Sequence, residues 1–266
     1  MPSTRNVTYC TGLWLLQGNQ KRSETHYLEL IPKTCGLIAS KRLVLHCDDE
    51  QVKQLFGKHA HANNVDLEIV TTPIEALPFS RYAPAIVECC SRMDLTQRPE
   101  RLGREKGPRH YWNHYRTSGR AAYEKMIAIW LSKIPLTHQL ANCIADGANA
   151  VAWIDSSIAR FRGQRTNWRF SRIRPSEGRV QHYASAMTFR DKLLPINASF
   201  LQADRTAWAR LAEQFEAELQ SHLSDSYAHD EETILSFCEA ADPSLFETVG
   251  RPHKPLRGRI RRLHFG

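Results

Sequence analysis

Residues 6–72 alternate three short apolar or β-branched runs with two helical stretches, and this alternation constrains the chain more than any other feature. NVTYCTGLWLL (6–16) reads as a first strand, Leu43–Leu45 in KRLVLHC as a second, and VDLEIVTT (65–72) as a third. SETHYLELIPKT (23–34) predicts a helix capped by Ser23 and ended early by Pro32, and QVKQLFGKHA (51–60) predicts another. Strands that alternate with helices lie parallel, because each crossover carries the chain back to the same end of the sheet. The expected fold class is α/β, a single mostly parallel sheet flanked by helices. With 266 residues, 42% of them hydrophobic and 24% charged, the chain can bury a real core in one large domain.

The rest of the chain fits that frame unevenly. Prolines at 73, 78, 84, 99 and 108 break residues 73–110 into loops and short helices, read as inserted functional segments. From Tyr115 to Ala145 the period is helical. Pro135 is expected to break it and to open a second helix, since its missing N–H costs nothing in a first turn. Gly147 is the expected C-cap. Ala148–Ile154 has almost no polar residue and predicts a buried central strand. Arg205–His222 places Trp208, Leu211, Phe215 and Leu219 on one helical face, and Asp230–Ala240 predicts a further helix closed by Asp242–Pro243. The tail from Val249 has no apolar periodicity. The expected division is a domain over 1–250 and a basic C-terminal tail over 251–266.

Net charge is +8, but it is unevenly placed. Residues 251–266 and 158–174 each carry +6 and residues 101–125 carry +5, which leaves −9 for the remainder. Basic segments on an acidic body attract phosphate, whether on a nucleotide, a nucleic acid or a lipid headgroup; the alternative is solvated loops rich in arginine. Seven scattered cysteines without a CxxC pair exclude a disulfide framework and a structural zinc site, and read as core fillers. No apolar run approaches the roughly 20 residues of a membrane helix, and MPSTRNVTYC lacks the order of a secretory signal. The expected location is the cytoplasm, with a peripheral position at the inner membrane allowed by the basic segments.

The strand Ala148–Ile154 stops at Asp155. In open α/β sheets ligands bind beyond the carboxyl ends of the strands, so Asp155 is expected to face that crevice, where a carboxylate holds a metal, bonds a sugar hydroxyl or caps the next turn. LSKIPLTHQLANCIADGANAVAWIDSS (131–157) resembles the bacterial HtrL/YibB-like family: a Ser-Lys that opens a helix, then a buried strand ending in Trp-Ile-Asp. Asn197-Ala-Ser-Phe-Leu resembles that family's small-residue strand, and HDEETILSFCEAADPSLF (229–246) its late acidic helix. The order also looks like nucleotide-sugar glycosyltransferases of the A-type, Rossmann-like fold.

That resemblance implies a nucleotide-sugar donor and a glycan acceptor such as a surface polysaccharide or lipopolysaccharide. It implies Lys133 at the donor phosphates or ribose, Asp155 as the first acid of a metal motif, Ala198 and Ser199 along the sugar pocket, and Asp230 and Glu231 as the acidic pair near the reacting carbon. The metal motif departs from the family, because Asp-x-Asp is here Asp155-Ser156-Ser157. A Mg²⁺ or Mn²⁺ ion would be left with Asp155, donor oxygens and His253. Ser157, Arg160 and Arg162 follow Asp155 closely and are expected to meet the donor, the arginines neutralising the diphosphate in place of a metal. GPRHYWNHYRTSGR (107–120) is read more as a partly buried loop than as aromatic and arginine faces stacking on nucleobases or sugars, and Asp48-Asp49-Glu50 more as a helix cap than as a nucleotide contact. The alternative function is a nucleic-acid or polyanion binder that keeps the fold, or a sugar transferase acting on nucleic acid.

Overall fold

The computed structural model describes residues 7–19, 22–93, 106–144, 150–164, 173–190, 192–225 and 227–250, with backbone alone at 108 and 162–164. Residues 251–266, Gly147, Arg165 and Arg169 lie outside the described residues.

The elements in chain order begin with β1 (Val7–Gly12), α1 (Glu24–Leu28), α2 (Ile31–Leu37), β2 (Arg42–Cys47), α3 (Glu50–Ala62) and β3 (Asp66–Thr71). Then come α4 (Ala83–Ser91), α5 (Pro108–Ser118), α6 (Arg120–Cys143), β4 (Ala150–Ile154) and β5 (Val180–Tyr183). A small hairpin, β6 (Thr188–Phe189) and β7 (Lys192–Leu193), precedes β8 (Asn197–Ala203), α7 (Arg205–Ser221), α8 (Glu231–Ala241) and β9 (Phe246–Gly250). The main sheet has seven strands in the order β3-β2-β1-β4-β8-β5-β9. All pairs are parallel except those of β8, which runs antiparallel to both β4 and β5. The chain is therefore α/β with a mostly parallel sheet, as the strand–helix alternation predicts.

β4 is apolar throughout because helices cover both sides of the sheet. Val151 and Trp153 face a core shared with α6 and α7, against Ile127, Leu131, Trp208 and Leu211. Ala152 and Ile154 face the opposite core, against Ile31 of α2, Ile38 just after it and Phe56 of α3. Trp208, Leu211, Phe215 and Leu219 of α7 are all buried, as their spacing predicts. Trp208 also donates from Nε1 to the Val151 carbonyl at 2.9 Å, which ties α7 to β4. Six cysteines are buried and Cys143 is exposed; all seven are free thiols. Among the described residues no helix is long and apolar enough to cross a membrane.

Four expectations need correction. Ser23 does cap α1, accepting from the His26 N–H, but Pro32 does not end that helix; it sits in the first turn of α2, where it gives up no intrahelical bond. Pro135 does not split α6, which runs unbroken for 24 residues. A helix-interior proline costs about 3 kcal/mol, and burial of Leu131, Ile134, Leu136 and Ala141 around it offsets that. Residues 108–118 form a helix rather than a loop. β5 and β9 were not expected at all: Gln181 and His182 lie buried in β5, where Gln181 bonds Gln202, Glu247 and the Arg174 carbonyl.

Trp208→Ala should lower the unfolding free energy by about 3–5 kcal/mol, the usual cost of emptying a large buried site. Urea unfolding followed by circular dichroism measures it.

Candidate active site

β1 pairs with β2 on one side and with β4 on the other, so the strand order reverses between β1 and β4. Parallel sheets open a crevice at such a reversal, beyond the carboxyl ends of the strands. A cavity of about 410 Å³ lies there, lined by Gly12 at the end of β1, by Trp14 just beyond it, and by Trp153 and Asp155 at the end of β4. Gly12 has to be glycine: a Cβ there would lie 2.4 Å from the Trp14 ring, and that ring is held by an Nε1 hydrogen bond of 2.7 Å to the Thr72 carbonyl.

Lys133 reaches this cavity from the buried face of α6. Its Nζ donates to Asp155 Oδ1 at 2.8 Å and to Glu231 Oε1, at the start of α8, at 2.7 Å. All three side chains are at least four-fifths buried. Burial alone would strip the ammonium of its proton, but Asp155 and Glu231 reverse this and hold the lysine above its ordinary range. Burial likewise favours a neutral Asp155, and Lys133 with Arg160 overrule it, holding the carboxyl well below the usual carboxylate range.

Arg160 completes the hold on Asp155. One guanidinium nitrogen contacts Asp155 Oδ2 at 3.0 Å and Ser199 Oγ at 2.8 Å, and the other contacts Ser157 Oγ. Trp153 Nε1 donates to Asp155 Oδ1 at 3.2 Å. A second cation, Lys106, is buried against Asp230 and lies 2.9 Å from Glu232. Glu232 accepts in turn from the Ala198 backbone N–H at 3.2 Å. Asp230 is the N-cap of α8, its Oδ1 accepting from the Glu232 and Thr233 N–H groups. Glu231 differs from Asp230: burial raises its pKa first, Lys133 and Lys106 oppose this only in part, and Asp230 and Glu232 add to the rise.

The mouth of the cavity is cationic. Arg22 lines it beside Arg160, and Arg22 NH1 lies 3.2 Å from His26 Nε2. Burial and then the charge of Arg160 lower the proton affinity of Arg22; burial, Arg22 and Arg160 do the same to His26. Positive groups that repel one another at an opening favour an anion between them.

The structure thus brings Lys133, Asp155, Ser157, Arg160, Ser199, Asp230 and Glu231 to one cavity. Ala198 sits behind the cavity wall and contributes its backbone N–H. The Arg162 side chain and His253 lie outside the described part. Lys106, Glu232 and Arg22 were not singled out in the sequence; a lysine flanked by Glu105 and Gly107 carries no local sign that its partners lie more than a hundred residues on. The segment 101–125 is less of a phosphate patch than its charge suggests. Lys106 is spent on the acids, Arg120 pairs with Glu88 and Glu124, and Lys125 lies 3.6 Å from Glu75. Asp49 caps α3 by accepting from Val52 N–H at 2.9 Å, as expected of that acidic run. A divalent ion does not fit at Asp155, because both carboxylate oxygens already face cations and Ser156 and Ser157 offer no second carboxylate.

Lys133→Met should destabilise the protein by about 3–5 kcal/mol at pH 7, since it leaves two buried carboxylates without their shared cation. Asp155, depressed in the native protein, contributes stability above its unfolded pKa that is lost as pH falls through the folded one. In the variant the same carboxyls gain by taking up protons. The gap between the two proteins should therefore narrow between pH 7 and pH 4 in urea titrations.

No protein-family model matches the chain, and no curated protein matches it in sequence. Among solved structures the chain is similar to mouse xyloside xylosyltransferase 1 in its apo form, at a TM-score of 0.44 and 9% identity, over 91% of this chain and 84% of that one.

Proposed function

We propose that the cavity is the donor site of a glycosyltransferase that uses a nucleotide sugar. One observation carries this reading: the Lys133 ammonium bridges Asp155 and Glu231 at the switch-point crevice, with Arg160 and Arg22 converging on the same opening. A nucleotide sugar needs both halves of that arrangement. Its diphosphate carries negative charge that grows as it leaves, and preorganised guanidinium groups stabilise it. Its sugar presents hydroxyls and a reacting carbon that becomes positive, which suits the acidic floor.

In this reading Arg22 and Arg160 hold the diphosphate. Asp155 and Ser199 position Arg160, and Lys133 keeps Asp155 and Glu231 at fixed separation. The bond between the anomeric carbon and the phosphate oxygen breaks, and its electrons leave with the nucleoside diphosphate. The acceptor oxygen forms the new bond and gives its proton to Glu231, whose buried carboxylate has a raised proton affinity that suits a base. Asp230 serves as cap and as anchor for Lys106, so the reacting member of the acidic pair is Glu231. The proposed chemistry runs without a divalent ion. Trp130 and Tyr27, also on the cavity wall, offer apolar faces to a glycan acceptor.

A screen of UDP-, GDP-, ADP- and CMP-linked sugars by thermal shift, in EDTA and in Mn²⁺, tests this. One donor class should raise the melting temperature by roughly 5–10 °C at a hundredfold excess over Kd, in EDTA as well as with metal. Arg160→Ala should remove the shift. Glu231→Gln should keep it while cutting transfer or slow donor hydrolysis by roughly 10²–10⁴-fold. Absence of any shift in either medium, with the fold intact, would overturn the reading, and salt-sensitive DNA binding in its place would point to a polyanion binder.

A further inference from the structure

We propose that His222, Asp225 and His229 form a binding site for one divalent transition-metal cation, with Zn²⁺ the best match to the donor set. The three residues lie where α7 gives way to α8. His222 closes α7, Asp225 sits in the turn that follows, and His229 directly precedes Asp230, the cap of α8. Their ligand atoms all lie within 4.8 Å of one another.

The geometry is close to that of a tetrahedral site. Asp225 Oδ2 is 2.7 Å from His222 Nδ1 and 3.2 Å from His229 Nε2. Ligands on a tetrahedral zinc with bonds of ~2.0–2.1 Å stand roughly 3.3 Å apart, so a slight opening of these contacts admits the ion. Two imidazole nitrogens and one carboxylate oxygen suit a borderline cation better than Mg²⁺ or Ca²⁺, which favour oxygen sets. Solvent reaches the group, since the Asp225 and His222 side chains are 34% and 25% exposed, and a water can take the fourth position.

A second observation points the same way. The other nitrogen of His222, Nε2, faces Glu218 Oε2 at 3.6 Å. His222 therefore has a carboxylate beside each ring nitrogen, Asp225 at Nδ1 and Glu218 at Nε2. A cation on Nδ1 with the proton on Nε2 satisfies both, and metal-bound histidines commonly turn their free N–H to a carboxylate in this way. Asp225 and Glu218 together offer two negative charges, the number a divalent ion needs when both imidazoles are neutral. Phe237 stacks on His222 at a ring separation of 3.9 Å and meets His229 edge-on, giving the group an apolar wall.

Occupancy would clip the α7–α8 junction one residue before Asp230, the cap of the helix that carries Glu231 and Glu232. This makes the cation a structural fastener for one wall of the cavity, and the inference stands whether or not the cavity takes a nucleotide sugar.

The test is zinc titration of the full chain, stripped with EDTA and desalted, against a chromophoric chelator, with Co²⁺ absorption as a second readout. One equivalent should bind with micromolar or tighter affinity, raise the melting temperature, and give the intense visible bands of tetrahedral Co²⁺. His222→Ala and Asp225→Asn should each lose that equivalent. The asparagine still accepts both imidazole N–H groups, so the metal-free fold should survive in that variant. A His59→Ala/His61→Ala variant and Cys143→Ser should bind as the parent does. A parent that shows no saturable zinc binding, or an equivalent that survives both His222→Ala and Asp225→Asn, would overturn the proposal.

Discussion

The Lys133 ammonium is the contact on which the cavity depends. An amino group this deep in the protein keeps its proton because two carboxylates surround it, and it in turn helps hold the Asp155 carboxyl well below the usual carboxylate range. The three groups come from the middle of α6, the end of β4 and the start of α8, so their mutual need for charge balance fixes the relative position of three elements. Around them the same logic repeats. Lys106 lies against Asp230 and Glu232, Glu232 receives the Ala198 N–H of β8, and Arg160 joins Asp155 to Ser199 of β8. Lys106, Lys133, Arg160 and Arg22 stand against Asp155, Asp230, Glu231 and Glu232, four charges on each side, all on the cavity wall. Moving Lys106, Lys133 or one of the acids they hold would leave a buried charge unpaired, which fixes that part of the wall.

Part of this was legible in the sequence. The run AVAWI ending in aspartate reads as a strand covered on both faces because no residue in it can tolerate water, and a carboxylate directly after such a strand has to sit at its end. Alternation over residues 6–72 carried the parallel half of the sheet. The other half was hidden by its polarity. VQHY and FETVG look like loop segments until Gln202 and Glu247 are brought across to Gln181 by strands that are distant in the chain. Pro135 misled for the opposite reason: a local rule about proline gave way to the burial of apolar neighbours on both sides of it. His222, Asp225 and His229 straddle a break between two helices, so no periodic reading groups them.

The charge counts show a similar limit. A segment carrying +5 suggests an open basic surface, yet three of its lysines and arginines are drawn to acids elsewhere in the fold. Charge summed along a sequence records what must be neutralised and says little about where. The converse holds at the cavity mouth. Arg22 and Arg160 stand far apart in sequence and in different basic contexts, and only the fold sets them close enough to depress the proton affinity of Arg22.

One ammonium serves two carboxylates here with opposite results. Asp155 receives Lys133, Arg160 and the Trp153 N–H, and its proton is driven off well below the usual range. Glu231 shares the same lysine, but burial first, and then Asp230 and Glu232, outweigh it, and its proton affinity rises. Environments that push two nearby acids apart are how one site keeps a permanent charge and a mobile proton side by side. Asp155 is thereby suited to hold a guanidinium in place whatever passes through the cavity, and Glu231 to exchange a proton with it. Those two properties, more than the outline of the sheet, are what the proposed sugar transfer draws on.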